Sequence, residues 1–396
     1  MFMVMSRREN IKVLYILNSA SKHGGANKSF FNMLEGLIKK GIEPYVILPE
    51  YGDLCVLLNN SGVSYSVIKY YHSVYPHIKT IKDLFFYVPR IFRVLFINKC
   101  AFKKIIFVAK SFIPDMIHTN VGPIHLGHKM GYYLGVPHVW HLREYQDLDF
   151  DMTPLFSKKM FVKKLKNKNN HSIAITFGIS RHFDLSYASK VISNGVMKSA
   201  ELIFNPNKKK YFLYAGRLEE KKGIKELIIA FKEIVKEYSE YSLLVAGDTA
   251  NESYKKTLIL LVGKLGLKEN VKFLGMIDNV YGLMKDAIAL IVPSVNEGFG
   301  RITVEAMFCG CLVIGNNTAG TKEILENNDI GILYYGHDEL VAAMKSVIAN
   351  GIESYFPLIK NSQDCVIDLY SIEKNVSSVF DYYQEIMGVS KKSEVL

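Results

Sequence analysis

The patterned part of the chain opens on an unbroken apolar run, Ile11–Leu17, as expected of a strand buried on both faces. A small polar loop, Ser19–Lys28, follows and contains Gly24 and Gly25. Apolar positions then recur at helical spacing through Phe30–Lys40 and stop at Gly41, a residue suited to a helix C-terminus. Further strand-like runs lie at Pro44–Leu48, Met116–His118, Pro137–His141 and Ser172–Thr176, with helical stretches between several of them.

The second half repeats this plan more regularly. Strands are predicted at Tyr211–Ala215, Ser242–Ala246, Val271–Phe273, Ala289–Val292 and Leu312–Gly315. Helices are predicted at Gly223–Lys236, Tyr254–Leu265, Val280–Lys285, Ile302–Phe308, Thr321–Glu326 and Asp338–Ala349. Strands alternating with helices imply parallel strands joined by crossovers, so both halves are predicted to be doubly wound α/β domains. Asn194-Gly195 and Asn205-Pro206-Asn207 interrupt the pattern between Ser193 and Lys210, where the boundary is expected. Ligands of open α/β sheets bind at the carboxyl ends of the strands, which directs attention to the loops that follow them.

Composition adjusts this picture modestly. A length of 396 residues suits two domains, and 49% apolar with 22% charged residues suits full-sized cores. Five scattered cysteines form no paired metal or redox spacing and read as reduced thiols. The N-terminus, MFMVMSRREN, places apolar before basic residues, the reverse of a signal peptide, and no run of about 18 apolar residues occurs. A cytoplasmic protein is expected.

Charge changes the picture more. Residues 1–200 hold 27 Lys/Arg against 12 Asp/Glu, a balance of +15, and residues 201–396 hold 22 against 26, a balance of −4. The two halves are therefore expected to meet different partners. No acidic residue occurs between Asp83 and Asp115, an interval carrying Arg90, Arg93, Lys99, Lys103 and Lys104 among many phenylalanines. A second basic run spans Lys158–Lys168. Such basic, aromatic-bearing segments predict peripheral docking on an anionic membrane surface; core-facing aromatics with solvated cations are the plainer reading. No nucleic-acid-binding module is present, and nucleic acid is not an expected partner.

The richest chemistry follows Val292, in the sequence PSVNEGFGRITVEAMFCG. Gly298 and Gly300 let backbone N–H groups approach an anion, and the helix beginning near Ile302 adds the positive end of its dipole, a combination suited to a diphosphate. Glu297 and Glu305 flank the loop. Carboxylates beside a phosphate site are suited to sugar or ribose hydroxyls; the plainer reading makes them surface groups paired with a cation.

The stretch Pro293-Ser294-x-x-Glu297-Gly298-Phe299-Gly300, with Glu305-Ala306-Met307 and Gly310, resembles the donor motif of family 4 retaining glycosyltransferases of the GT-B fold, bacterial polysaccharide-type hexosyltransferases among them. Glu297 and Glu305 have that family's E-x7-E spacing. Gly216-Arg217-Leu218 with Lys222-Gly223 resembles its basic pair, and residues 191–196 resemble its interdomain junction. The resemblance implies two Rossmann-like domains facing across a cleft. Residues 1–197 would bind acceptor, residues 198–371 a nucleotide sugar, and residues 372–396 would form a helix crossing back to the first domain and a tail.

The resemblance also implies roles. Glu305 would hold the ribose hydroxyls, Glu297 the donor sugar, and the backbone around Gly298, Phe299 and Gly300 the sugar and phosphate. Arg217 and Lys222 would neutralise the leaving diphosphate, removing any need for a metal; no other cofactor is implied, and a UDP-sugar is the expected donor. Gly24 and Gly25 would approach the donor phosphate, and His141 the reacting carbon. Arg301 replaces the leucine usual at its position. Asp147-x-Asp149 in QDLDFD has the spelling of a metal-binding motif of another glycosyltransferase fold, but is read as an exposed acidic loop. The expected activity is hexosyl transfer from a nucleotide-diphosphate sugar to a glycan or lipid-linked acceptor. A nucleotide-sugar epimerase and a non-catalytic nucleotide-sugar-binding subunit are the rival readings.

Overall fold

In a computed structural model of the chain, residues 10–22, 24–78, 80–185, 189–326 and 329–388 are described. The chain divides into two compact units: Met1–Gly195 with Asn375–Leu396, and Val196–Lys374.

The first unit contains strands β1 (Ile11–Ile16), β2 (Ile42–Leu48), β3 (Ser64–Val67), β4 (Val74–Pro76), β5 (Met116–Asn120), β6 (His138–Leu142), β7 (Met152–Pro154), β8 (Asn170–Ala174) and β9 (Ser189–Val191). Seven of them form a parallel sheet in the order β3-β2-β1-β5-β6-β8-β9, and β4 pairs antiparallel with β7. Chain order reverses between β1 and β5, so the loops leaving these strands diverge and open a crevice at their carboxyl ends. β5 and β6 are buried along their whole length although they carry His118, Thr119, Asn120, His138 and His141.

The helix Gly25–Lys39 starts five residues earlier than the periodicity predicts. Gly24 is its N-cap, and Asn27 in its first turn donates to Ser19 O, Ser19 Oγ and Ser21 O, which fixes the preceding loop to the helix. The stretch QDLDFD is likewise not a loop throughout: Asp147–Phe150 form a helical turn, Asp147 pairs with Lys158 and His182, and Asp149 accepts from Tyr145 N.

The second unit contains β10 (Lys209–Ala215), β11 (Ser242–Ala246), β12 (Val271–Gly275), β13 (Ala287–Val292), β14 (Leu312–Asn316) and β15 (Ile332–Tyr334), parallel throughout in the order β12-β11-β10-β13-β14-β15. Order reverses between β10 and β13, the strands that precede the predicted basic pair and the predicted glutamate loop. The helix Ile224–Val235 packs Leu227, Ile228, Phe231 and Ile234 onto the sheet. A helix at Phe356–Tyr370, absent from the predicted set, packs beside the helix Arg301–Phe308 and donates Gln363 Nε2 to Ile203 O and Phe308 O.

Among the described residues no helix is long and apolar enough to cross a membrane. All five cysteines are free; burial pushes the Cys309 and Cys311 thiols up to about 12, away from the range of reactive thiolates.

Candidate active site

In the second unit the predicted residues converge beside the β10/β13 reversal. β13 ends in Pro293 and a loop that the structure ties down at several points. Ser294 is buried, and its Oγ donates to Glu297 Oε1 at 2.9 Å. Val295 N donates to Lys221 O at 3.0 Å, Thr318 Oγ1 to Ser294 O at 3.1 Å, and Gly320 N to Glu297 O at 2.9 Å. Glu297 is thus set in a frame made by the loops after β10, β13 and β14.

Lys222 Nζ donates to the same Glu297 oxygen at 2.6 Å, and both side chains are 18% exposed. Lys222 closes the short 3-10 turn Glu220–Lys222, and Gly223 follows at φ +68°. A Cβ at Gly223 would stand 2.2 Å from Pro293 O. Only glycine lets the Lys222 turn close against the β13 loop, so this glycine sets the lysine–glutamate distance. Arg217, by contrast, is 61% exposed and pairs with Glu219 at 2.7 Å.

Gly300, at φ +88°, is the N-cap of the helix Arg301–Phe308, which has no side-chain cap and no acidic residue in its first turn. The positive end of that helix is left to its backbone. Phe299 is buried and packs edge-on against Tyr370 at 5.7 Å between ring centroids, so only its backbone remains for a ligand. Glu305 lies one turn into the helix, 6% exposed, and accepts from Arg301 Nε at 2.9 Å. Arg301 Nη2 also donates to Val196 O at 2.9 Å. The arginine at the position where leucine is usual therefore engages the second motif glutamate and the start of the unit.

In the first unit His141, at the carboxyl end of β6, is fully buried within a chain of polar groups. Arg143 Nη2 lies 3.3 Å and His118 Nε2 3.2 Å from His141 Nδ1. His118 Nδ1 lies 2.7 Å from Tyr383 Oη, which lies 3.3 Å from Tyr15 Oη. Arg143 Nε donates to Asn120 Oδ1 at 2.7 Å and its Nη1 to Asn194 Oδ1.

Arginine can only donate, which makes His141 Nδ1 the acceptor and places the imidazole proton on Nε2. Among the described residues His141 Nε2 has no hydrogen-bond partner. Burial, and then the Arg143 charge, hold His118 and His141 well below the ordinary histidine range. His141 is therefore a neutral donor with a fixed tautomer. Gly24 and Gly25 lie at the N-terminus of their helix, where an added Cβ at either would meet nothing within 4 Å.

Sequence reasoning missed Ser294, Thr318 and Gly320, which frame Glu297, and Arg143, Asn120, His118, Tyr383 and Asn194, which fix His141. Ser294 was within the quoted motif and its spacing to Glu297 was readable. Tyr383, which holds His118, lies 265 positions from it along the chain, a separation that gives no local signal. Among the described residues no group of three or more His, Cys, Asp or Glu is placed to hold a metal ion, the Asp147 cluster included.

Residues 199–364 match the family of group 1 glycosyl transferases. An uncharacterised glycosyltransferase of Methanocaldococcus jannaschii, MJ1607, is 31% identical over 187 residues, 45% of this chain and 46% of the relative. The N-acetylgalactosamine-N,N'-diacetylbacillosaminyl-diphospho-undecaprenol 4-alpha-N-acetylgalactosaminyltransferase of Campylobacter jejuni is 26% identical over 186 residues, 46% and 49% of the two chains. The chain thus spans about half the length of these curated relatives. The crystal structure of Anabaena HepE in complex with UDP superposes with a TM-score of 0.78 at 20% identity, covering 95% of this chain and 100% of that one.

The fold is therefore GT-B, built from two Rossmann-like units. The match to the group 1 glycosyl transferases lies in residues 199–364, within the second unit.

Proposed function

We propose that the chain transfers a hexosyl group, with its anomeric configuration retained, from a nucleoside-diphosphate sugar to a sugar acceptor carried on a lipid, in surface polysaccharide or glycolipid synthesis. The observation that carries this reading is the pair of half-buried to buried carboxylates, Glu297 and Glu305, set on either side of an uncapped helix N-terminus at the β10/β13 reversal. The backbone at residues 298–301 suits the diphosphate, Glu305 the ribose diol and Glu297 the sugar hydroxyls.

Breaking the bond from sugar to diphosphate builds positive charge on the sugar and negative charge on the leaving group. Lys222, held at Glu297, and Arg217 are the cations assigned to that developing negative charge; fixed positive charge stabilises the departing side without rearrangement. The neutral Nε2–H of His141 is assigned to an oxygen of the transferred sugar, and the Gly24–Gly25 backbone to the phosphate and acceptor. A UDP-sugar is the favoured donor, a choice supported by the UDP complex of HepE, which shares the fold. The lipid-linked acceptor is supported by the undecaprenol-linked substrate in the name of the Campylobacter relative and by the basic first half of the chain, which would lie against the cytoplasmic face of a membrane.

Incubation with UDP-sugars, with and without a membrane extract, tests this reading. Transfer of label into lipid only in the presence of extract supports it. Free sugar released equally without extract would indicate an epimerase-type reaction, and binding without turnover a non-catalytic subunit.

A further inference from the structure

The helix Ile81–Phe112 has two apolar faces, and among the described residues only one of them is buried. Its buried residues are Val94, Ala101, Ile105 and Ala109, which lie on one side at helical spacing. A second stripe, Ile81, Phe85, Val88, Phe92 and Phe96, recurs at intervals of four or three residues roughly 150° round the helix from Val94. These five side chains are 53–88% exposed. No residue before Val94 in this helix is buried, so its first three turns project apolar side chains into solvent.

The start of the helix is specified: Thr80 and Asp83 form a reciprocal capping box, with Thr80 N donating to Asp83 Oδ2 at 2.8 Å and Asp83 N to Thr80 Oγ1 at 3.2 Å. The capping box fixes the start of the helix, and the outward stripe that follows it is exposed. An exposed contiguous apolar surface of this kind marks an interaction site.

Charge decides what covers it. Lys82 and Arg93 flank the stripe, Lys99, Lys103 and Lys110 continue its line along the same face, and no acidic residue follows Asp83 within the helix. A second copy of the helix would bring these cations against one another, whereas an anionic bilayer offers apolar depth for the phenylalanines and phosphate for the cations. The other basic run is less suited: Lys158 pairs with Asp147 and Lys166 with Asp184.

We infer that the outward stripe from Ile81 to Phe96 inserts into the interfacial layer of an anionic membrane and holds the first unit there. This deepens the membrane part of the proposed function and rests on it. Vesicle binding is read without donor or acceptor, however, so its failure is separable from failure of the transferase reading.

The test is sedimentation of the full chain with phosphatidylcholine vesicles and with vesicles containing a quarter phosphatidylglycerol. The unmodified chain is expected to partition onto the anionic vesicles, and the triple variant F85S/F92S/F96S to partition at least tenfold more weakly while keeping its UDP-induced thermal shift. Replacing the lysines of 158–168 by glutamine is expected to change partitioning less than threefold. A Phe92→Trp variant covers the case in which the triple variant fails to fold, and its emission is expected to move to shorter wavelength only with anionic vesicles. Absence of vesicle binding, undiminished binding by the triple variant, or an emission from the Phe92→Trp variant that does not move overturns the inference. So does a dimer in light scattering that the triple substitution dissociates.

Discussion

Lys222 Nζ and Glu297 Oε1 lie 2.6 Å apart, joining the loop after β10 to the loop after β13 through their charged residues. In the proposed reaction the two ends of this pair have different ligands, the lysine the diphosphate and the glutamate the sugar. Glu297→Gln is expected to lower turnover by about 100-fold or more while changing UDP affinity less than about threefold. The lost interaction belongs to the sugar as its bond breaks, and not to the nucleotide. Turnover and UDP titration on the same preparation check this, and a parallel loss of both would remove Glu297 from the sugar.

Arg301 Nε, 2.9 Å from Glu305 Oε1, occupies the same carboxylate that is assigned to the ribose. Arg301→Leu is expected to lower stability by about 1–3 kcal/mol, because a buried carboxylate loses a charged donor. UDP is then expected to raise the melting temperature of this variant more than that of the parent, since ribose hydroxyls replace the lost donor. Thermal melting with and without UDP reads both effects; an equal UDP shift in the two proteins would argue against Glu305 as the ribose ligand.

His141 is held neutral by burial first and then by the Arg143 charge, and its contact with Arg143 places the proton on Nε2. Transfer by the unmodified chain is therefore expected to show no inflection from this histidine near pH 6.5. Arg143→Met removes the charge that opposes protonation and is expected to bring an acid limb toward pH 6.5, with kcat reduced about tenfold. His141→Ala is expected to lower kcat by about 10²-fold or more. A pH profile of Arg143→Met that is flat and merely lowered would show that burial alone keeps His141 neutral.

Eight histidines of the first unit are depressed by burial: His72, His118, His125, His128, His138, His141, His171 and His182. Each stays neutral in the folded chain at pH values where the unfolded chain takes up a proton. Stability is therefore fully present above about pH 6.5 and falls as pH drops below it. His125 and His138, each lowered to about 3, together remove about 2–3 kcal/mol per pH unit between roughly pH 5.5 and 4. Trp140 is the sole tryptophan and is buried beside His138, so urea unfolding followed by its fluorescence reports on this unit. A denaturation midpoint unchanged between pH 7.5 and 5 would show that these histidines are not buried as described.

The central strands were legible because parallel strands buried on both faces read as apolar runs, as Ala287–Val292 does, whereas β3, β4, β7, β9 and β15, three or four residues long, gave no such run. The Glu297/Glu305 motif was legible because loop, helix N-terminus and both carboxylates lie within 13 consecutive residues. The support of His141 was not, since Tyr15, Asn120, Asn194 and Tyr383 come from β1, β5, the segment after β9 and the helix Ile372–Ile386, far apart in the sequence. The start of the helix at Gly25 was hidden because its cap is a glycine with no side-chain signature. The interval after Asp83 was read as basic and aromatic; only the exposure of Phe85, Phe92 and Phe96 distinguishes an outward stripe from a core face.

The central claim, that residues 293–305 hold a nucleotide sugar, is tested most directly by calorimetric titration of UDP and UDP-sugars into the parent chain and into Glu305→Gln. Saturable binding by the parent, weakened about 10- to 100-fold in Glu305→Gln, is the predicted result. No binding by the parent, or equal binding by the two proteins, would contradict it.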